Sequence, residues 1–138
     1  MECFKTFRKT PPSQLIMTLL VKNEESMLEE NLLFHKAMGV DSFIITDNNS
    51  TDSTPEIIRK YKQKGWIKEV IEEKATDYEQ KEWVDRMIWK AKTIYKADWI
   101  INADADELWY SPSGNLKTDL SATHANVLNC EMICDYPE

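Results

Sequence analysis

Apolar positions along this chain come in two rhythms: short unbroken runs, and longer stretches where they recur at helical spacing. "LIMTLLV", Leu15 to Val21, is an unbroken run and predicts a strand buried on both faces. "SFIIT" (Ser42 to Thr46), "WIKEVIE" (Trp66 to Glu72) and "DWIINAD" (Asp98 to Asp104) predict three more strands, and "NVLNCEMIC" a fifth near the C-terminus. Helical stretches lie between them. Ser26 and Glu29 have capping-box spacing ahead of a helix to about Met38. Its apolar residues Met27, Leu28, Leu32, Leu33, Phe34, Ala37 and Met38 cover a wide arc, and Gly39 suits the position after its end. Thr54-Pro55 opens a second helix, with proline at the first helical position, and Gly65 closes it. A third is expected from Tyr78 to Tyr95, where Val84, Met87, Ile88, Ala91 and Tyr95 form one stripe. After a turn at Ser111 to Gly114, "LKTDLSAT" predicts a short helix.

Strands alternating with amphipathic helices imply an α/β fold: a mainly parallel sheet with helices on both faces. Right-handed crossovers then bring the strand-to-helix loops to one edge, at the carboxyl ends of the strands. Open sheets of this kind bind ligands there. Residues 1–13 read as a polar lead-in ending in Pro11-Pro12, and residues 14–138 as one domain.

That edge collects polar chemistry. The strand exits carry Asn23-Glu24-Glu25, then Asp47-Asn48-Asn49-Ser50, then Asp104-Ala105-Asp106-Glu107. Three acidic groups within four positions repel one another and resist leaving water, so they need compensation. In an extended chain Asp104 and Asp106 stand ~6.6 Å apart on one side. Two carboxylates so placed can hold a hard divalent cation, Mn²⁺ or Mg²⁺, which keeps waters and phosphate oxygens in its shell. The competing reading is a solvated acidic turn. "DNNSTDS" echoes a calcium loop, but Asp52 stands where that loop needs Gly and Ile58 where it needs Glu. Turn and capping chemistry is the plain reading for Asn48 to Ser53; Asp47, leaving its strand, is the ligand candidate. No glycine-rich phosphate loop is present, so a diphosphate here would be held mainly through a metal.

Charge and cysteine content remove other classes. A net charge of −7 argues against a nucleic-acid binder, while a nucleotide can still bind through a metal. Cys3, Cys130 and Cys134 lack metal-type spacing and read as reduced core thiols. "MECFKTFRKTPPSQ" has no apolar run of the signal type, and no segment reaches the ~18 apolar residues of a membrane span, so the expectation is a cytoplasmic protein. His35 reads as a structural helix residue and His124 has no assigned role. No nucleophilic Ser/His/Asp or Cys/His set is visible.

Three stretches, "LLVKNEESMLEENLLFHKAMGVDSFIITDNNSTDST", "YEQKEWVDRMIWKA" and "ADWIINADADELWY", resemble the family 2-like glycosyltransferases. The likeness is to the branch with a D-N-x-S-x-D loop, a helix opening Q-x-E-W and a D-x-D-E motif, and it spans about residues 15–120. The resemblance implies a Rossmann-like, glycosyltransferase A-type fold that transfers a sugar from a UDP- or GDP-linked donor to an unknown acceptor with Mn²⁺ or Mg²⁺. Carried over by position, Asp106 would be the main metal ligand, and Asp104 would support the metal or the ribose. Asp47 would contact the nucleobase or ribose, and Asn23 and Glu24 would line the nucleotide pocket. Asn49, Gln80 and Asp85 join the donor-binding set; Glu107 and Trp83 have less definite roles. Members of that family continue into an acceptor-binding half with an acidic general base. That half is expected to be largely missing here, and no base is identified, although Glu131 and Asp135 are acidic. An open sheet edge would favour a homodimer. The competing functions are a non-catalytic nucleotide-sugar-binding module and a metal-dependent nucleotidyltransferase or phosphohydrolase.

Overall fold

The computed structural model describes residues 2–5, 14–77, 79–122 and 127–129. In chain order the elements are β1 (Glu2–Lys5), β2 (Leu15–Val21), α1 (Leu28–Ala37), β3 (Ser42–Asp47), α2 (Thr54–Gln63), β4 (Ile67–Glu72), α3 (Gln80–Thr93), β5 (Trp99–Asp104), α4 (Leu116–Ser121) and β6 (Val127–Asn129). They build a six-stranded sheet in the order β4-β3-β2-β5-β1-β6. The four contiguous strands β4, β3, β2 and β5 are parallel, as the alternation of runs and helices predicts. β1 runs antiparallel between β5 and β6. Glu2–Lys5 therefore departs from the expected polar lead-in. Its apolar signal is too short to read alone, and it becomes a strand because β5 offers it an edge. No helix among the described residues is long and apolar enough to cross a membrane.

Side chains alternate along the strands and sort into two cores. Leu15, Met17, Leu19 and Val21 of β2 pack on one face with Leu28 and Leu32 of α1, Ile58 and Tyr61 of α2, and Leu116 and Leu120 of α4. Ile16 packs on the other face with Ile44, Ile100, and Met87 and Ala91 of α3. Fully burying each such side chain contributes ~1.5–3 kcal/mol, which is why strands apolar on both faces stay in the middle layer. Cys3 is buried in the first core. His124, Tyr78 and residues 130–138, including Cys130, Glu131, Cys134 and Asp135, lie outside the described residues.

Helix boundaries show where local signals yield. The Ser26–Glu29 capping box does not form: Met27 is the N-cap of α1, without a side-chain cap bond. Instead Glu24 O accepts the N–H groups of Met27 and Leu28, at 3.1 and 2.9 Å. Glu29 turns to α2, where Lys60 Nζ and Tyr61 Oη donate to it at 2.9 and 3.0 Å. The wide apolar arc of α1 is also narrower in fact: Leu33 is 46% exposed, and the buried stripe is Leu28, Asn31, Leu32 and His35. Gly39 fits its place for two reasons. Its φ is +100°, and a Cβ there would stand 2.7 Å from Asn115 Oδ1, where α4 closes on α1.

The strand order places the ligand edge. From β2 the chain winds outward to β3 and β4, then α3 carries it back across to β5 on the other side of β2. The crevice between the carboxyl ends of β2 and β5 is a topological switch point, where open α/β sheets bind ligands.

Candidate functional site at the switch point

An open cleft of about 280 Å³ lies at this crevice. Leu20 and Asp104 are register partners at the ends of β2 and β5, so the two strand exits stand side by side. Lys22 and Glu24 enter from the β2 exit, Asp104 and Asp106 from the β5 exit, and Gln80 and Trp83 from the first turn of α3. Trp83, 6% exposed, is an apolar wall rather than a distant core residue. Lys22 is exposed and is the basic side chain lining the cleft.

The acidic groups sit close enough to feel one another. The Glu24 carboxyl is pushed above its ordinary range by burial, then by repulsion from Asp106, Asp104 and Asp52. The Glu107 carboxyl is raised mainly by burial. Its Oε1 accepts the Asp104 N–H at 2.9 Å, while Oε2 is buried with no hydrogen-bond partner among the described residues. Asp104 and Asp106 are exposed, and no described Lys or Arg forms a salt bridge with either. Among the described residues no group of three or more His, Cys, Asp or Glu is placed to hold a metal by itself. This donor set suits an oxygen-loving cation that takes the rest of its shell from water and phosphate, as Mg²⁺ and its chemical neighbours do.

The β2 and β3 exits are spent largely on each other. Asn23 has φ of +51°, and its Oδ1 accepts the Thr51 N–H at 2.7 Å. Its own N–H donates to Ser50 Oγ at 2.9 Å, and the Ser50 hydroxyl donates in turn to Asp47 Oδ1. Glu24 N–H donates to Thr54 Oγ1 at 2.8 Å, and Ser53 N–H to Glu25 Oε2 at 2.9 Å. Asn48, buried at the cleft, donates its amide to the Glu73 and Ala75 carbonyls, both at 3.0 Å, and Asn49 donates to Lys74 O at 3.1 Å. Turn and latch chemistry thus accounts for Asn48 to Ser53.

The site residues expected from the sequence fall into two groups. Glu24, Gln80, Asp104 and Asp106 line the cleft. Asn23, Asp47, Asn49 and Asp85 are not among its lining residues. Asp47 is half-buried at the end of β3, and Asp85 faces Lys81 on the exposed side of α3 at 3.8 Å. Lys22 directly precedes Asn23-Glu24-Glu25 in the sequence, but a lone lysine carries no signal of its own. Asn31 and His35 carry no site signal in the sequence either. Both are fully buried on α1, beneath the Asp104–Trp109 turn. Asn31 Nδ2 donates to Ala105 O and Glu107 O, each at 2.9 Å, with Asp104 O at 3.4 Å. His35 Nδ1 meets Asn31 Oδ1 at 3.0 Å, and His35 Nε2 accepts the Trp109 N–H at 2.9 Å.

Residues 17–128 match the family model described as glycosyltransferase family 92. Among solved structures, the chain is similar to S. aureus TarS 1-349, with a TM-score of 0.58 and 18% identity over 79% of this chain and 31% of that one. It is also similar to the mannosyltransferase PcManGT from Pyrobaculum calidifontis in complex with GDP-Man and Mn²⁺. There the TM-score is 0.53 and the identity 20%, over 74% of this chain and 30% of that one. The chain thus spans about a third of the length of each structure, and at these identities the likeness is one of fold. None of the curated proteins compared matches the chain significantly.

Proposed function

The chain belongs to glycosyltransferase family 92, and from that premise we propose that it forms the donor-binding part of a metal-dependent glycosyltransferase. The observation carrying this reading is the pair of exposed carboxylates, Asp104 and Asp106, facing a cleft at the switch point without basic partners among the described residues. The donor is a nucleoside-diphosphate sugar, with GDP-mannose the first to test because the similar mannosyltransferase carries it. The D-x-D-E motif is read here, as in the family 2-like enzymes, as the metal-binding motif.

Asp104 and Asp106 would hold the cation, Mn²⁺ or Mg²⁺. Bound there, it would supply positive charge to the departing diphosphate. Lys22 adds a cation from the opposite lip and meets the same phosphates. Trp83 gives the donor a dry wall, and Gln80 offers an amide beside it. Asp47 reaches the ribose or base; one of its oxygens is held by Ser50, which fixes the carboxylate's direction. Asn23 and Asn49 act by holding the loops that frame the pocket. In the transfer, an acceptor hydroxyl gives its proton to a general base as its oxygen bonds to the anomeric carbon, the bond from that carbon to the diphosphate breaks, and the nucleoside diphosphate leaves.

GDP or UDP with Mn²⁺ should raise the melting temperature, and Asp106→Ala should remove the rise. Absence of any shift with every nucleoside diphosphate tested, on well-folded protein, overturns the reading.

A further inference from the structure

Two polar side chains are buried in the face of α1 that packs on the sheet, alongside Leu28 and Leu32. Asn31 and His35 are one turn apart, and both are 0% exposed. Each would cost stability if left unpaired. Among the described residues, every hydrogen bond these side chains make, beyond the one to each other, goes to the backbone of residues 104–109. The directions agree along the whole chain of bonds. The Trp109 N–H needs a lone pair, so His35 Nε2 carries no proton. His35 Nδ1–H then donates to Asn31 Oδ1, which turns the Asn31 amide nitrogen toward the carbonyls of Ala105 and Glu107.

We propose that this Asn31–His35 relay positions the acidic turn and thereby sets the affinity of the site for a divalent cation with a nucleoside diphosphate. The proposal rests on the donor-site reading above. Asp104 and Asp106 both repel the Glu24 carboxylate across the cleft, and like charges two residues apart on one turn favour separation. A turn left to itself would relax by swinging these carboxylates apart. Pinned from below at Ala105, Glu107 and Trp109, the backbone cannot turn, and the two side chains stay directed at the cleft. The relay touches no ligand. It acts through the turn, as outer hydrogen bonds orient the ligands of metal sites.

The test measures Mn²⁺ and GDP (or UDP) binding to the full chain by titration calorimetry. His35→Phe keeps the ring's bulk and removes both nitrogens. It should weaken binding about tenfold or more, the range typical of lost outer partners. His35→Gln, whose amide can both accept from Trp109 and donate to Asn31, should restore most of the affinity. Leu120→Ala, in the same core but away from the cleft, should lower the melting temperature and leave affinity unchanged. Wild-type affinity in folded His35→Phe, or an equal loss in Leu120→Ala, overturns the proposal. Should His35→Phe not fold, Asn31→Ala, which leaves room for water, replaces it with the same expected loss. If the wild-type chain binds no Mn²⁺ with nucleotide, the donor-site reading fails by itself. The relay is then judged by amide hydrogen exchange. The Trp109 N–H must be protected in wild type and must exchange faster in His35→Phe or Asn31→Ala; equal rates overturn it.

Discussion

Two parts of the same sheet edge are almost equally rich in polar residues, yet they are built for different ends. The exits of β2 and β3 bind one another: Asn23, Glu25, Ser50 and Thr54 each take a bond from the facing loop. The exit of β5 does the reverse. Its backbone is held from below by Asn31 and His35, and its carboxylates Asp104 and Asp106 are left facing the cleft. On the proposed donor-site reading, polar density does not mark a ligand site; what marks it is the side chains left open after the fold has paired what it can.

The sharpest way to separate the two regions is pH. The His35 imidazole is pushed down from its ordinary 6.5 to about 4 by burial, against a smaller opposing effect of its bond to Asn31. The unfolded chain therefore takes up a proton between those values that the fold refuses. The stability His35 lends is complete above pH 6.5 and lost as pH falls to 4, on the order of 3 kcal/mol. Glu24 and Glu107, with carboxyls raised in the fold, gain stability as pH falls. The difference in unfolding free energy between wild type and His35→Gln isolates the His35 contribution, and it should shrink from pH 7 to 4. A flat difference would mean that the β5 turn does not depend on a neutral imidazole.

Asp106→Ala addresses the open side of the comparison. With Mn²⁺ and nucleotide at a hundred times the dissociation constant, wild type should gain about 2.7 kcal/mol, and the variant none of it. Thermal melts with and without the pair read this directly.

Asn23 tests the latched side. Asn23→Ala loses the Thr51 bond and leaves at positive φ a residue whose side chain cannot hydrogen-bond locally, costing roughly 2 kcal/mol. Asn23→Gly loses only the bond and should recover about half. Nucleotide affinity should stay within about threefold of wild type for Asn23→Gly. A loss beyond tenfold would return Asn23 to the donor-contacting set and blur the contrast between the regions.

The smallest effect is expected at Lys22. Lys22→Ala should leave the melting temperature unchanged and weaken nucleotide binding by about 0.5–1 kcal/mol, since an exposed ion pair is screened by water and salt. Calorimetry at two salt concentrations checks it: the wild-type advantage should fade as salt rises.

The layers of this fold were legible in the chain because their signals are local. "LIMTLLV" has the bounds of β2 itself, and the stripe through Met87 and Ala91 is the buried face of α3. Where two local signals competed, packing decided. The capping box at Ser26 gave way because Glu29 found Lys60 and Tyr61 on the neighbouring helix. The strand at Glu2–Lys5 was invisible because "ECFK" shows little pattern until β5 and β6 flank it.

The sequence by itself determined the two-faced sheet, the family resemblance, and the gathering of three acidic strand exits on one edge. Periodicity and strand order are properties of near neighbours along the chain, so they can be read without a partner. Only the tertiary structure decided which polar groups would be used up internally and which left open. Asn31 reaches Ala105, and His35 reaches Trp109, across 74 positions of sequence. A hydrogen bond depends on distance and direction in space, and no spacing rule along the chain encodes either across such a separation.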